Sequence, residues 1–138
     1  MLTHKIKVAN PGRGPFLILI AMAITLFSFG RAAAQQKNQV VRLAKIQVDP
    51  AQLDNYKAAL KEGIETAVRV EPGVLTYYAL ADKANPNHIT ILEIYADSAA
   101  YQSHIETAHF KKYKNTVKDM IKSLELVDVD LIAVAKKP

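Results

Sequence analysis

From Val40 onward the apolar residues alternate between a two-residue and a 3.6-residue period in the order strand, helix, strand, strand, helix, strand, and this order limits the fold more than any other property of the chain. Val40–Val48 is rich in β-branched residues and stops at Asp49-Pro50, where Asp suits an N-cap and Pro the first helical position. Leu53, Tyr56, Leu60, Ile64, Ala67 and Val68 then recur at helical spacing, with Lys57, Lys61, Glu65 and Arg69 on the opposite side. Gly63 inside that helix costs about 1 kcal/mol relative to Ala and points to close packing. Glu71-Pro72-Gly73 ends the helix. Val74–Ala81 and His88–Tyr95 flank the turn-forming Lys83–Asn87 segment and read as a hairpin. Asp97 or Ser98 caps a second helical region, in which Phe110, Tyr113, Val117, Met120, Ile121 and Leu124 keep helical spacing, and Leu126–Ala135 reads as the last strand. The order βαββαβ predicts an α+β, ferredoxin-like antiparallel sheet with two helices on one face.

Two helices cover only one face of such a sheet, yet the hairpin strands are apolar on both. Val74, Tyr78 and Leu80 are expected on one side of the second strand with Leu75, Tyr77 and Ala79 on the other, and Ile89 and Ile91 oppose Leu92 and Ile94 in the third. A solvated face would alternate more cleanly, so the uncovered one is expected to pack on a second copy, giving a homodimer.

Ahead of this pattern, residues 1–34 run from a basic stretch (His4, Lys5, Lys7, Arg13) through the 14-residue apolar run Phe16–Phe29 to Ala32-Ala33-Ala34, the order of a secretory signal peptide. The apolar run is shorter than the roughly 20 residues of a membrane-spanning helix. Cleavage is expected between Ala34 and Gln35, leaving 35–138 as the folded domain, periplasmic or secreted; the alternative is an uncleaved anchor over Pro15–Ala34. Of the 18 Lys+Arg, four lie in residues 1–34 against no acid, so the remainder is nearly neutral and argues against nucleic-acid binding. With no Cys, the chain has no disulfide, thiolate nucleophile, Cys-bound zinc or iron–sulfur cluster.

Chemistry is left to His, carboxylates, Tyr and Lys. His104 shares a helical phase with Ala100, Tyr101 and Ala108 and points inward, either as a structural residue or as an acid–base group beside a cavity. Glu93 is the one charge in the middle of the apolar third strand; His104 is its natural partner, with Arg42, a lysine or an exposed edge as alternatives. His109 lies about 140° from His104 on a continuous helix, and a break near Glu106–Ala108 would reunite them. No metal site is expected, because neither a third ligand nor a known ligand spacing stands out. Tyr77, Tyr78, Tyr95, Tyr101 and Tyr113 line a pocket or simply pack.

Glu71-Pro72-Gly73-Val74, Glu93-x-Tyr95-x-Asp97-x-x-Ala100-x-x-x-His104 and His109-Phe110 together resemble the antibiotic biosynthesis monooxygenase (ABM) family, including its quinol monooxygenase type, over Val41 to about Ala135. The resemblance implies a dimeric α/β barrel with a pocket between sheet and helices. It also implies oxidation of a quinol or phenolic aromatic substrate by O₂ without metal, flavin or haem. His104 would be the base, Glu93 its orienting partner, His109 a second candidate base, and Tyr95, Tyr101, Tyr78 and Phe110 would contact substrate. Haem degradation is not expected, since the first strand has no Asn and Tyr95 stands where haem-degrading relatives have Trp. The competing readings are an isomerase-like proton-transfer enzyme on the same residues and a non-catalytic dimer that binds small hydrophobic ligands.

Overall fold

The computed structural model describes residues 38–137; the signal-peptide expectation for 1–34 lies outside them. The elements are β1 (Val40–Val48), a 3₁₀ turn (Pro50–Gln52), α1 (Leu53–Val70), β2 (Val74–Ala81), β3 (His88–Tyr95), α2 (Ser98–Glu106), α3 (Ala108–Val117) and β4 (Ile121–Val129). Short acids start the helical segments as their chemistry requires: Asp49 accepts from the Ala51 N–H at 3.0 Å and Asp97 from the Ala100 N–H at 2.8 Å. Among the described residues no helix is long and apolar enough to cross a membrane.

The four strands form one antiparallel sheet in the order β2-β3-β1-β4, the ferredoxin-like arrangement. Within one chain this sheet is open, with β2 and β4 as its edges. The register sets Arg42 beside both Glu93 and Asp128, and Tyr77 beside Glu93, so all four face the helices. The main core joins Ala44, Ile46, Val48, Ile89 and Ile91 of that face to Tyr56, Leu60 and Val117 of the helices. A second cluster of Ala67, Val74 and Tyr95 closes the end of α1 against the sheet. Val68, expected in the core, is 47% exposed, because the helix face turned inward runs through Ala67.

Two bulges account for the larger departures. In β2 the register slips between Val74 and Thr76, so Leu75 is the extra residue. Val74 thereby shares the helix face with Tyr77 and Ala79, while Thr76, Tyr78 and Leu80 face outward. In β4 the slip falls opposite Gln47 and Val48, which pair with Ser123 and Ile121. Lys122 is the extra residue, and Ile121 and Leu124 consequently lie on one face three residues apart, a spacing that imitates a helix. The second helical region therefore stops at Val117, and β4 begins at Ile121 rather than Leu126 and ends at Val129 rather than Ala135.

Candidate active site

Glu71, the first residue after α1, is the anchor of the site. Its N–H still bonds to the Ala67 carbonyl at 2.9 Å, which turns the side chain under α2 and α3. The turn is held there by Gly73, whose carbonyl accepts from the Ala96 N–H at 2.9 Å. A Cβ at Gly73 would lie 2.5 Å from the Ala100 Cβ, so only glycine allows this approach of the turn to α2. Glu71 Oε1 accepts from His104 Nδ1–H at 2.8 Å and from His109 Nε2–H at 2.5 Å. The two rings converge because the helical region breaks at Thr107, whose hydroxyl donates to the His104 carbonyl at 2.7 Å and accepts from the Phe110 N–H at 3.3 Å.

From His104 the network continues into the sheet. His104 Nε2 meets the Tyr77 hydroxyl at 3.0 Å, Tyr77 meets the Tyr95 hydroxyl at 2.6 Å, and Tyr95 bonds to Glu93 Oε2 at 3.0 Å. Among the described residues no buried side-chain polar atom lacks a partner. Burial pushes the Glu93 carboxyl above the usual carboxylate range, against the opposing pull of the Tyr95 hydroxyl, Arg42 and Lys114. Burial and the neighbouring Glu93 push the Tyr77 and Tyr95 hydroxyls up as well, so both stay protonated and act as hydrogen-bonding conduits.

The network forms one wall of a cavity between the sheet and α1–α3. Its interior holds about 100 Å³ of free space, and about 800 Å³ when its open mouth is counted. The remaining walls are mostly aliphatic: Ala44, Ile46, Leu60, Ile91 and Ile105. Leu124 and Leu126, 43% and 53% exposed, mark the mouth at the β4 edge. Arg42 lies 4.4 Å above the Tyr101 ring and is held by Asp128 at 2.7 Å, which places an ion pair at this end of the cavity.

His104, Glu93, His109, Tyr95, Tyr101 and Phe110 all line the cavity. Phe110 stands edge-on to His104 with centroids 4.7 Å apart. Two expectations are corrected. Glu93 does not touch His104; the carboxylate on that imidazole is Glu71, and Glu93 is reached only through two tyrosines. Tyr78 is 49% exposed on the outer face, because the bulge at Leu75 gives Tyr77 the inward position. The residue that sequence reasoning left out is Glu71, read only as a turn residue; Tyr77 stood there only as one of five tyrosines that line a pocket or pack. Glu71, His104 and His109 present three ligand atoms within 4.8 Å, the one such trio among the described residues. A divalent cation there would have to displace the imidazole protons that now bind Glu71 Oε1.

The antibiotic biosynthesis monooxygenase family profile matches residues 39–116. A Bacteroides thetaiotaomicron crystal structure bearing the same family name is 54% identical over 75% of this chain and 98% of its own, with a TM-score of 0.71. A Lactobacillus acidophilus structure named for a monooxygenase is 32% identical over 64% of this chain and 42% of its own, at a TM-score of 0.64. A Nitrosomonas europaea structure of the same family name, 23% identical over 69% of this chain and 91% of its own, shares the fold at a TM-score of 0.65. Among curated proteins nothing matches significantly. With over half its length matched by the profile and a closely similar relative of almost equal folded extent, the chain belongs to the antibiotic biosynthesis monooxygenase family.

Proposed function

We propose that this protein is an exported, homodimeric, cofactor-independent monooxygenase that oxidises a single-ring quinol or phenol with O₂. The observation that carries the reading is a network of acid–base groups opening into an apolar cavity, and the monooxygenase names of its structural relatives agree with it. The interior volume is of the order of the roughly 150 Å³ cavity that accepts one benzene ring. Both nitrogens of His104 are engaged, so it acts as the base through Tyr77, whose hydroxyl lines the cavity and retains a free lone pair. The substrate hydroxyl gives its proton to Tyr77 as Tyr77 gives its own to His104, and Glu71 stabilises the imidazolium. The electron-rich anion reduces O₂ and couples with it at a ring carbon. For hydroquinone the balance closes without another reductant: quinol and O₂ become hydroxybenzoquinone and water, all four electrons coming from the ring.

Export is supported by the basic, apolar and alanine order of residues 1–34, and dimerisation by the apolar outer face of the sheet. The same proton network would serve an isomerase-like proton transfer, which consumes no O₂. O₂ uptake by the purified protein across hydroquinones and catechols, corrected for autoxidation, separates the two. Uptake that survives chelator and falls at least tenfold in His104→Ala is the expected result. Uptake no faster than the blank, or uptake abolished by chelator, refutes the cofactor-independent monooxygenase.

A further inference from the structure

The hydrogen bonds between Glu71 and Glu93 need one proton more than their members carry when both carboxyls are ionised. Four bonds join Glu71, His104, Tyr77, Tyr95 and Glu93 in series, and each holds one proton. A neutral imidazole brings one and the two tyrosines one each, so the series is one short. Glu71 Oε1 accepts from both imidazoles, the arrangement of a carboxylate between two N–H donors, so the extra proton lies further along the series. The extra proton therefore rests at one of two places. Either it is on His104, with both tyrosine hydroxyls pointing toward Glu93, or it is on Glu93, with both pointing back. Moving one proton across each of the three bonds from His104 to Glu93 interconverts these arrangements without moving a heavy atom.

The surroundings favour Glu93. Its carboxyl makes one hydrogen bond, to Tyr95, where Glu71 makes two, and burial outweighs the nearby cations. Arg42 from β1 is turned to Asp128, and Lys114 from α3 makes no ion pair with Glu93. Tyr56 and Tyr113 are hydrogen-bonded to each other at 3.0 Å rather than to the carboxyl. Glu93 and Tyr77 both reach the cavity, so a proton can leave the series at one end while another enters near its middle.

We propose that Glu93 stores this proton in the resting protein and is the general acid of the pocket, recharged through Tyr95 and Tyr77 by the proton that His104 receives. The proposal rests on the monooxygenase reading above. In the sequence it describes, the substrate hydroxyl loses its proton through Tyr77 to His104. The anion and O₂ form a carbon–oxygen bond, and the resulting peroxide takes the proton from Glu93. The O–O bond then breaks as the ring carbon loses its hydrogen as a proton. The leaving oxygen departs as water, and the ring keeps the other as a carbonyl. What remains is protonated His104 and ionised Glu93, and the three-proton shift restores the starting arrangement.

Infrared difference spectroscopy and product analysis test this together. The protein at neutral pH should show the carbonyl stretch of a protonated carboxyl group, which Glu93→Gln removes and Tyr95→Phe displaces. With hydroquinone, Glu93→Gln should lower hydroxyquinone formation at least tenfold and release hydrogen peroxide in its place, with an unchanged melting temperature showing that the fold persists. Absence of the carboxyl band overturns the proposal whatever the turnover, as does a Glu93→Gln protein that forms product at the wild-type rate without peroxide. If the wild type consumes no O₂, the monooxygenase reading fails by itself, and the stored proton is decided by the band and its response to Tyr95→Phe.

Discussion

At the scale of single residues, the two glycines of the folded domain respond oppositely to the same change. A Cβ at Gly63 would stand 3.5 Å from the Tyr113 ring, an ordinary contact, and alanine there should raise stability by about 0.5–1 kcal/mol through helix propensity. Alanine at Gly73 would press on Ala100 and should cost about 1–3 kcal/mol. Urea denaturation of the two variants checks both signs. Glu93 adds a pH dependence. Because burial holds its pKa above the usual 4.5, the folded chain keeps a proton in a window where the unfolded chain has released it. Stability contributed by this group is present below pH 4.5 and is lost as pH rises from there through the raised value. Glu93→Gln cannot ionise, so its stability curve should lack this decline, and parallel curves for the two proteins would contradict the buried, protonated carboxyl. Glu71 shows where residue-level reading stops. Its motif was visible, but its partners lie 33 and 38 positions away, and only the closed fold brings them onto one oxygen.

Among the elements, the break at Thr107 decides whether one or two histidines reach Glu71. On a continuous helix His104 and His109 would diverge, and the separation of α2 from α3 removes that divergence. Thr107→Ala removes both the cap on α3 and the bond to the His104 carbonyl. It should cost about 1 kcal/mol in denaturation and lower turnover without abolishing it, since Glu71 still binds His104. Elements with a clean period were legible in the sequence: β1, β2, β3 and the start of α1 fall where Val40–Val48, Val74–Ala81, His88–Tyr95 and Leu53 place them. The misread strand phases share one cause. A bulge inserts a residue and reverses the phase, so Val74 crosses to the helix face at one and Ile121 and Leu124 acquire helical spacing at the other. Neither Leu75 nor Lys122 carries a local mark of this, because the register is set by the partner strand.

For the whole molecule, the helix face holds the cavity and the outer face holds apolar surface that α1–α3 cannot reach. Tyr78 and Leu80 are 49% and 59% exposed there, with Leu43, Leu92, Val127 and Val129 half-buried around them. If this face is the dimer contact, Leu80→Glu should shift the protein from twice the monomer mass to the monomer mass in light scattering after size exclusion; a mutant that remains dimeric contradicts that interface. The proton network lies on the opposite side of the sheet and is complete within one chain. The central claim, that His104 acts on the substrate through Tyr77, is tested most directly by hydroquinone-dependent O₂ uptake of Tyr77→Phe beside His104→Ala. Loss of turnover to a similar extent in both, with substrate affinity retained, is the predicted result, whereas a Tyr77→Phe protein as active as the wild type would contradict the account.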